Sequence, residues 1–287
     1  MTTVPTATGA ALTTTWQNVP THTIHAGGVE FAYRQLGPNS GVPVVFLTHL
    51  SAVLDNWDPR VVEGIAAQHR VITFDNRGVG ASSGATPRSI EEMASDAVTF
   101  IRALGFDQVD LFGLSMGGMI AQVIAQQQPQ LVRKMIIAGT GPAGGEGIDK
   151  VTRITYLDIA RGLLTRQDPK QFLFFTRTPN GRRAGKEFLA RLQERTNDRD
   201  KAISVRSFRA QLKAIHRSGQ QKPADLASIQ QPVLVMNGDS DKMVPTKNTV
   251  DLHRRLPNSQ LVIYPDAGHG GVFQFREDFV KRALEFL

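Results

Sequence analysis

The spacing of apolar and polar residues along the chain predicts strands that alternate with helices. Short continuous apolar runs such as Val42–Leu47 are typical of strands buried on both faces of a parallel sheet. The stretch His22–Leu36 alternates instead and turns at two consecutive glycines, which predicts an antiparallel strand pair. The predicted strands cover residues 22–36 as a pair, then 42–47, 70–74, 109–111, 132–138, 232–236 and 260–264, and the predicted helices cover residues 59–68, 89–104, 117–127, 246–256 and 277–287. This order predicts an α/β fold with a mostly parallel eight-stranded sheet and helices on both faces.

Residues 142–225 depart from this pattern. They contain no strand-like run, and apolar residues recur at helical spacing, as at Phe188 and Leu192 or at Phe208 and Leu212. We therefore predict a helical insertion of residues 142–225 after the sixth strand, within a core formed by residues 21–141 and 226–287. The apolar run Phe172–Phe175 is expected mostly to pack the insertion onto the core rather than to line a pocket.

Charge is distributed unevenly between these parts. The chain of 287 residues has a net charge of +7, and residues 142–225 alone hold 18 Lys+Arg against 9 Asp+Glu, which leaves the remainder at −2. These basic residues come without interleaved aromatics or a recognisable reading motif, so nucleic-acid binding is not expected. The surplus either steers an anionic substrate or keeps an exposed helical segment in solution. The sequence favours the second interpretation.

Membrane, secretory and disulfide-rich classes find no support in the sequence. There is no cysteine, which rules out disulfides, thiolate metal sites and a cysteine nucleophile. No apolar run reaches the roughly 18 residues of a membrane span. The first residues lack the basic and apolar parts of a secretory signal. We therefore expect a cytoplasmic protein without a membrane partner, with residues 1–20 as a flexible tail; the oligomeric state stays open, and a homo-oligomer is compatible with the sequence.

Metal and cofactor sites also lack a sequence signal. There is no pair of histidines at metal-binding spacing and no acidic cluster, so no metal is expected. Residues Gly139–Gly144 read G-x-G-x-x-G, but the loop continues through further glycines where a dinucleotide site needs a helix to open. No cofactor is therefore expected, and the partner predicted is a small-molecule substrate.

The motif with the most chemical meaning is Gly113–Gly117, which reads G-x-S-x-G between a predicted strand and a predicted helix. In that context the motif forms a nucleophile elbow, which pushes the serine hydroxyl out above the sheet. It also points the next amide at the place where an oxyanion would form. Ser115 is therefore the candidate nucleophile, and Met116 a candidate oxyanion-hole donor.

A serine nucleophile needs a base and a carboxylate that orients the base. Of seven histidines, only His269 lies in a loop after a late strand, near the predicted carboxyl edge of the sheet. Asp241 follows the preceding buried strand. The order Ser115, Asp241, His269 is the order of the triad in α/β-hydrolases. The competing carboxylates are Asp75, Asp239 and Asp266. Of these, Asp75 is expected to bond loop amides and Asp239 to cap a turn.

Five pieces in order carry a family resemblance, namely VPVVFLTH, FDNRGVGASS, GLSMGG, NGDSDKMVP and DAGHG. On them the chain resembles the α/β-hydrolase superfamily from about residue 22 to residue 287. The resemblance implies the α/β-hydrolase fold, with Ser115 as nucleophile, Asp241 as acid, His269 as base and residues 142–225 as a lid. Within the superfamily the chain is similar to proteins labelled cofactor-free haloperoxidases or small-ester hydrolases.

One departure from the family affects the oxyanion hole. The family has His-Gly after the third strand, whereas here Leu50 follows His49 directly. If one residue is deleted, Leu50 supplies the second oxyanion amide; if the glycine is replaced, Ser51 does. The short distance to Trp57 favours the deletion, and so Leu50. We expect substrate contacts from Leu50, Met116 and Trp57.

These features predict a serine hydrolase that cleaves a small or medium ester or lactone through an acyl-enzyme. Two alternatives stay open. The same residues could use peroxide in place of water, as a cofactor-free haloperoxidase or perhydrolase. The chain could instead be a non-catalytic ligand-binding protein on the same fold.

Overall fold

The computed structural model describes residues 14–287, and its centre is one eight-stranded sheet. The strands are β1 (His22–Ala26), β2 (Val29–Leu36), β3 (Val44–Leu47), β4 (Val71–Phe74), β5 (Val109–Leu114), β6 (Val132–Ala138), β7 (Val233–Gly238) and β8 (Ser259–Tyr264). They lie in the order β1-β2-β4-β3-β5-β6-β7-β8. Strand β2 pairs antiparallel with both β1 and β4, and all other neighbouring strands are parallel, so the predicted antiparallel pair and mostly parallel sheet are confirmed.

Ten α-helices surround this sheet in the part of the chain from residue 14 onward. They are α1 (Pro59–Ala66), α2 (Ile90–Ala103), α3 (Met116–Gln127), α4 (Val151–Thr165), α5 (Pro169–Phe174), α6 (Pro179–Arg191), α7 (Val205–Gly219), α8 (Thr246–Arg255), α9 (Gly271–Gln274) and α10 (Arg276–Phe286). Helices α2, α3 and α8 pack on one face, and α1, α9 and α10 on the other. The predicted fold class, with helices on both faces of a mostly parallel sheet, is confirmed.

The core lies on both faces because successive strand residues point in opposite directions. In β3, Val45 and Leu47 belong to one buried cluster, whereas Val44 and Phe46 belong to the other. All four are at most 1% exposed. A strand of this kind must be apolar at every position, which is why a continuous apolar run predicted it.

Helices α4 to α7 lie between β6 and β7, and we call residues 142–225 the helical segment. It contacts both buried clusters, for example through Ile215 on one side and Phe188 on the other. It is also fixed by a buried ion pair, because the Arg191 guanidinium donates to both carboxylate oxygens of Asp58 at 2.7–3.0 Å. Asp58 also caps the start of α1 by accepting from the Arg60 amide. The helical segment is therefore firmly attached to the core beside the first helix.

The tail predicted for residues 1–20 falls outside the described residues up to position 13. For residues 14–20 the prediction is wrong. Trp16 is 2% exposed and its ring stacks against the Arg34 guanidinium. Its amide donates to Glu63, and its carbonyl oxygen accepts from Arg195 in the helical segment. The uncharged composition suggested a tail, but a single buried tryptophan is enough to anchor this stretch to the core.

Candidate active site

The turn between β5 and α3 holds Ser115 in a strained conformation. Its backbone angles are φ 57° and ψ −116°, a region that residues with a side chain seldom adopt. A Cβ on Gly113 would lie 2.4 Å from the Gly117 carbonyl oxygen, and one on Gly117 would lie 1.9 Å from that of Leu47. Only glycine fits at these two positions. The spacing of the G-x-S-x-G motif is thus a steric requirement of the turn.

His269 and Asp241 form a buried pair beside this turn. His269 Nδ1 lies 2.7 Å from Asp241 Oδ2, and both side chains are at most 2% exposed. Nδ1 must carry a proton to bond a carboxylate, so in the neutral ring Nε2 is unprotonated and able to accept one. His269 and Ser115 line the same cavity, although no hydrogen bond joins the serine hydroxyl to the ring among the described residues. Such bonds are often long before a substrate binds.

Asp241 is held in place by the loop after β7. Its other oxygen, Oδ1, accepts hydrogen bonds from the Met243 amide at 2.7 Å and the Val244 amide at 3.1 Å. Three donors therefore fix the carboxylate and orient Oδ2 towards His269. The loop sequence that follows the strand supplies both of the amide donors.

The competing carboxylates lie elsewhere. Asp75 accepts from the amides of Leu54 and Ala81, as predicted for a residue that bonds loop amides. Asp239 accepts from the Asp266 amide and the Ser240 hydroxyl in an exposed turn. The structure thus brings only Asp241 of these carboxylates to His269.

Two backbone amides near Ser115 find no protein acceptor among the described residues. Met116 is the first residue of α3, so its N–H has no acceptor within the helix. The Leu50 amide likewise finds no acceptor in the described residues. The Ser51 amide, by contrast, donates to Gln211 Oε1 at 2.8 Å. Of the two alternatives for the second oxyanion donor, only Leu50 has a free amide.

A mostly apolar cavity of about 170 Å³ opens over these groups. Its lining combines Ser115, His269 and Leu50 from the core with side chains of the helical segment, which include Leu173 and Phe174. Phe174 meets the His269 ring edge to face at 5.5 Å. The run Phe172–Phe175 therefore has both functions. Leu173 and Phe174 line the cavity, and Phe174 also stacks on Phe273 of the core at 6.3 Å.

Two predicted substrate contacts need correction. Trp57 is 1% exposed, and its ring lies 4.9 Å from Phe46 and 5.5 Å from Phe112 in the core, away from the cavity. Phe46 and Phe112 thus pack against the Trp57 indole in the buried cluster on one face of the sheet. The Met116 side chain is also fully buried in the core, so only its backbone amide can meet a substrate. Leu50 lines the cavity as predicted.

Comparisons with known proteins agree with this architecture. The sequence profile described as alpha/beta hydrolase fold matches residues 42–275, most of the chain. The chain belongs to the α/β-hydrolase family. It is similar to an alpha/beta hydrolase fold protein from Chitinophaga pinensis, with 39% identity, a TM-score of 0.90 and coverage of 95% of this chain and 98% of that one.

Two further relatives of this α/β-hydrolase carry functional names. Est816, described as an N-acyl homoserine lactone degrading enzyme, is 25% identical with a TM-score of 0.72, over 93% of this chain and all of its own. A protein of Mycobacterium tuberculosis with the provisional name non-heme bromoperoxidase BpoC is 28% identical over 272 residues, 90% of this chain and 97% of its own. The names of these relatives thus describe a lactone-degrading enzyme and a bromoperoxidase.

Sequence reasoning missed two residues of this α/β-hydrolase site. His49 lines the cavity, its Nδ1 lies 2.9 Å from the Leu50 carbonyl oxygen, and burial lowers its pKa to about 3, so the ring is neutral. Gln211 lies in α7 and is fully buried. His49 lies in the loop after β3, residues 48–53, which we call the oxyanion loop because it carries the candidate donors Leu50 and Ser51. Its place in this loop could have drawn attention to it. Gln211 gave no signal, because its contact spans 160 residues of sequence.

Neither a membrane-spanning helix nor a cluster of metal ligands is found in residues 14–287 of this α/β-hydrolase. No helix within residues 14–287 has both the length and the hydrophobicity to cross a membrane. In the same residues, no group of three or more His, Asp or Glu side chains is arranged to hold a metal ion.

Proposed function

We propose that this protein hydrolyses small or medium carboxylic esters or lactones through an acyl-enzyme on Ser115. The observation that supports it best is the arrangement of Ser115 and His269 around one cavity, with Asp241 bonded behind the histidine at 2.7 Å. A nucleophile, a base and a group that orients the base is the set that acyl transfer needs.

In the first step, His269 Nε2 takes the hydroxyl proton as Ser115 Oγ attacks the ester carbonyl carbon. The imidazolium that forms lies against the Asp241 carboxylate, which stabilises its charge. His269 then gives the proton to the leaving alcohol, and the acyl-enzyme remains. In the second step, water loses a proton to His269 and attacks the acyl carbon. The bond from that carbon to Ser115 Oγ then breaks, His269 returns the proton to Oγ, and the acid is released.

The developing oxyanion would accept hydrogen bonds from the amides of Met116 and Leu50. Both amides lack protein partners, and Met116 lies at the positive end of the α3 dipole. Donors already aimed at this charge need no reorganisation during the reaction. Each is expected to contribute about 3 kcal/mol to the barrier reduction.

We further propose that the helical segment, residues 142–225, is a lid that shapes the acyl pocket. It supplies Thr155, Leu173, Phe174 and Phe208 to the cavity lining. The apolar surface and a volume of about 170 Å³ favour an uncharged acyl group of small or medium size. The similarity to Est816 adds N-acyl homoserine lactones to the substrates worth testing.

Perhydrolysis is the second candidate, because the chain is similar to a protein named as a bromoperoxidase. Hydrogen peroxide would replace water in the second step and release a peracid. The peracid would then oxidise bromide to hypobromite and itself become the acid. A bromide-dependent halogenation assay with peroxide and acetate distinguishes this reaction from hydrolysis.

The test of the proposal is a panel of p-nitrophenyl esters and lactones of increasing acyl length, run beside Ser115→Ala. We expect hydrolysis with an optimum at short or medium acyl groups, and loss of nearly all of it in the variant. A folded variant that hydrolyses the panel as fast as the wild type would contradict the proposal.

A further inference from the structure

The oxyanion loop is held by a residue of the helical segment. Gln211, in α7, is fully buried, and its Oε1 accepts from the Ser51 amide at 2.8 Å. Ser51 itself has a φ of 62°, in the left-handed region that residues with a side chain enter at a cost of about 1 kcal/mol. Such a conformation persists only where neighbouring groups enforce it.

The peptide group between Leu50 and Ser51 is fixed at both of its polar ends. Its carbonyl oxygen lies 2.9 Å from His49 Nδ1, which donates to it, and its N–H donates to Gln211 Oε1. With both ends bonded, this peptide cannot rotate without losing a buried hydrogen bond. The neighbouring Leu50 amide keeps no protein acceptor in the described residues, and Leu50 lines the cavity together with Ser115.

We infer that Gln211 is a positioning residue of the proposed hydrolase, which holds the Leu50–Ser51 peptide so that the Leu50 amide completes the oxyanion hole. Its Oε1 accepts from the Ser51 amide, so that this amide, the alternative oxyanion donor, is already occupied. The same hydrogen bond sets the orientation of the loop. The helical segment thereby contributes to transition-state stabilisation as well as to the shape of the pocket. This inference rests on the proposed ester hydrolysis.

The decisive variant is Gln211→Met, which keeps the length of the side chain and removes the acceptor. We expect kcat to fall roughly 10- to 100-fold with KM changed less than about threefold, because the lost interaction exists mainly in the transition state. The matched control is Gln171→Met. Gln171 is also buried in the helical segment, but it contacts neither the oxyanion loop nor the cavity. Its kcat should stay within about twofold of wild type.

Gln211→Glu tests the chemistry of the contact. A carboxyl oxygen still accepts from the Ser51 amide, but the ionised form places a negative charge beside the oxyanion. We expect the ratio of its kcat to that of the wild type to rise as pH falls, since protonation restores a neutral acceptor. A purely structural loss would give a ratio that does not change with pH.

Hydrogen exchange at the Ser51 amide supplies a readout that does not depend on activity. Exchange should be faster in Gln211→Met and unchanged in Gln171→Met. Two results would overturn the inference. One is a loss of kcat in both variants that simply follows the decrease in their melting temperatures. The other is an exchange rate at the Ser51 amide that is the same in Gln211→Met as in the wild type. If the wild-type protein hydrolyses no ester, the proposed function fails, and the exchange measurement still decides whether Gln211 holds the loop.

Discussion

At the residue scale, the site consists of a few groups whose neighbours leave them little freedom. Ser115 is held by two glycines that no other residue can replace, and Asp241 is held by two amides and the His269 ring. The chemistry follows from these fixed orientations more than from unusual side chains. Changes that keep the shape but alter one proton or one acceptor should therefore have large effects on rate.

Asp241→Asn makes such a change. An asparagine amide can present N–H to the histidine, which would favour the tautomer whose Nε2 is protonated and unable to act as a base. We expect kcat to fall by about 10³–10⁴-fold in a folded protein. The control is Asp239→Asn, two residues away in an exposed turn, whose kcat should equal that of the wild type. Similar losses in both variants, measured with a p-nitrophenyl ester, would show that Asp241 is not the orienting acid.

At the scale of elements, the attachment of the helical segment to the core depends on buried charges. The pair Arg191–Asp58 joins α6 to the start of α1. Asp55, buried beside Arg34, accepts from the Asp200 amide of the helical segment at 2.8 Å. A buried pair contributes little net stability when intact, but removal of one partner leaves the other charge unpaired.

We therefore expect Arg191→Met to lower the free energy of unfolding by about 3–5 kcal/mol, as measured by urea denaturation. The same helix offers a control in the exposed pair Arg183–Glu187, whose atoms lie 3.9 Å apart. Glu187→Gln should change stability by less than about 0.5 kcal/mol. A loss in Arg191→Met no larger than that of the control would argue against a structural role for the buried pair.

A second contact between these elements depends on pH. Asp75, after β4, shares the Leu54 amide with Asp200 of the helical segment. Burial and the neighbouring Asp200 carboxyl raise the pKa of Asp75 well above its usual value of 3.8. The folded protein thus keeps a proton that the unfolded chain loses first, so this contribution to stability is full below about pH 4 and declines as pH rises through the folded pKa.

The corresponding variant is Asp75→Asn, which cannot ionise. Relative to wild type, the variant should become more stable as pH is raised from about 4 to 8, so the difference between its free energy of unfolding and that of the wild type should increase. Urea denaturation at several pH values measures this difference. A difference that stays constant over the range, or one that changes in the opposite direction, would contradict the raised pKa of Asp75.

Element by element, the sequence predicts the sheet better than it predicts the site's surroundings. Strand β6 begins at Val132 and ends at Ala138 as predicted, and its last four residues form the continuous buried apolar run that is typical of a parallel strand. Trp57 was assigned to the substrate pocket, but its large apolar ring is equally suited to packing against Phe46 and Phe112. Spacing cannot distinguish these environments. The contact of Gln211 with Ser51 could not be predicted from the sequence, because it forms only when the helical segment packs on the core.

At the scale of the whole molecule, the positive charge is concentrated in the helical segment, and much of it is neutralised locally. Arg191 pairs with Asp58 of the core. Arg195 and Arg199 lie 3.9 Å and 3.6 Å from the carboxylate of Asp55, also in the core. Lys170 is the basic residue that lines the cavity, where Asp168 lies 3.8 Å from its amine. This distribution favours solubility over long-range steering as the role of the surplus.

It follows that kcat/KM for an anionic ester should change little between low and high salt. Steering by a net positive field weakens as the Debye length shortens from about 10 Å at 0.1 M to about 3 Å at 1 M salt. A neutral ester of the same acyl length serves as the control. A steep decrease with salt for the anionic ester alone would assign the charge to substrate capture.

The central claim is that Ser115 is an activated nucleophile. The most direct measurement is covalent labelling with a fluorophosphonate, followed by mass mapping of the modified peptide. We predict one label per chain on Ser115 in the wild type, none in Ser115→Ala, and slow labelling in Asp241→Asn. Absence of label on Ser115 in a folded wild-type protein, or equal labelling of Ser115→Ala, would contradict it.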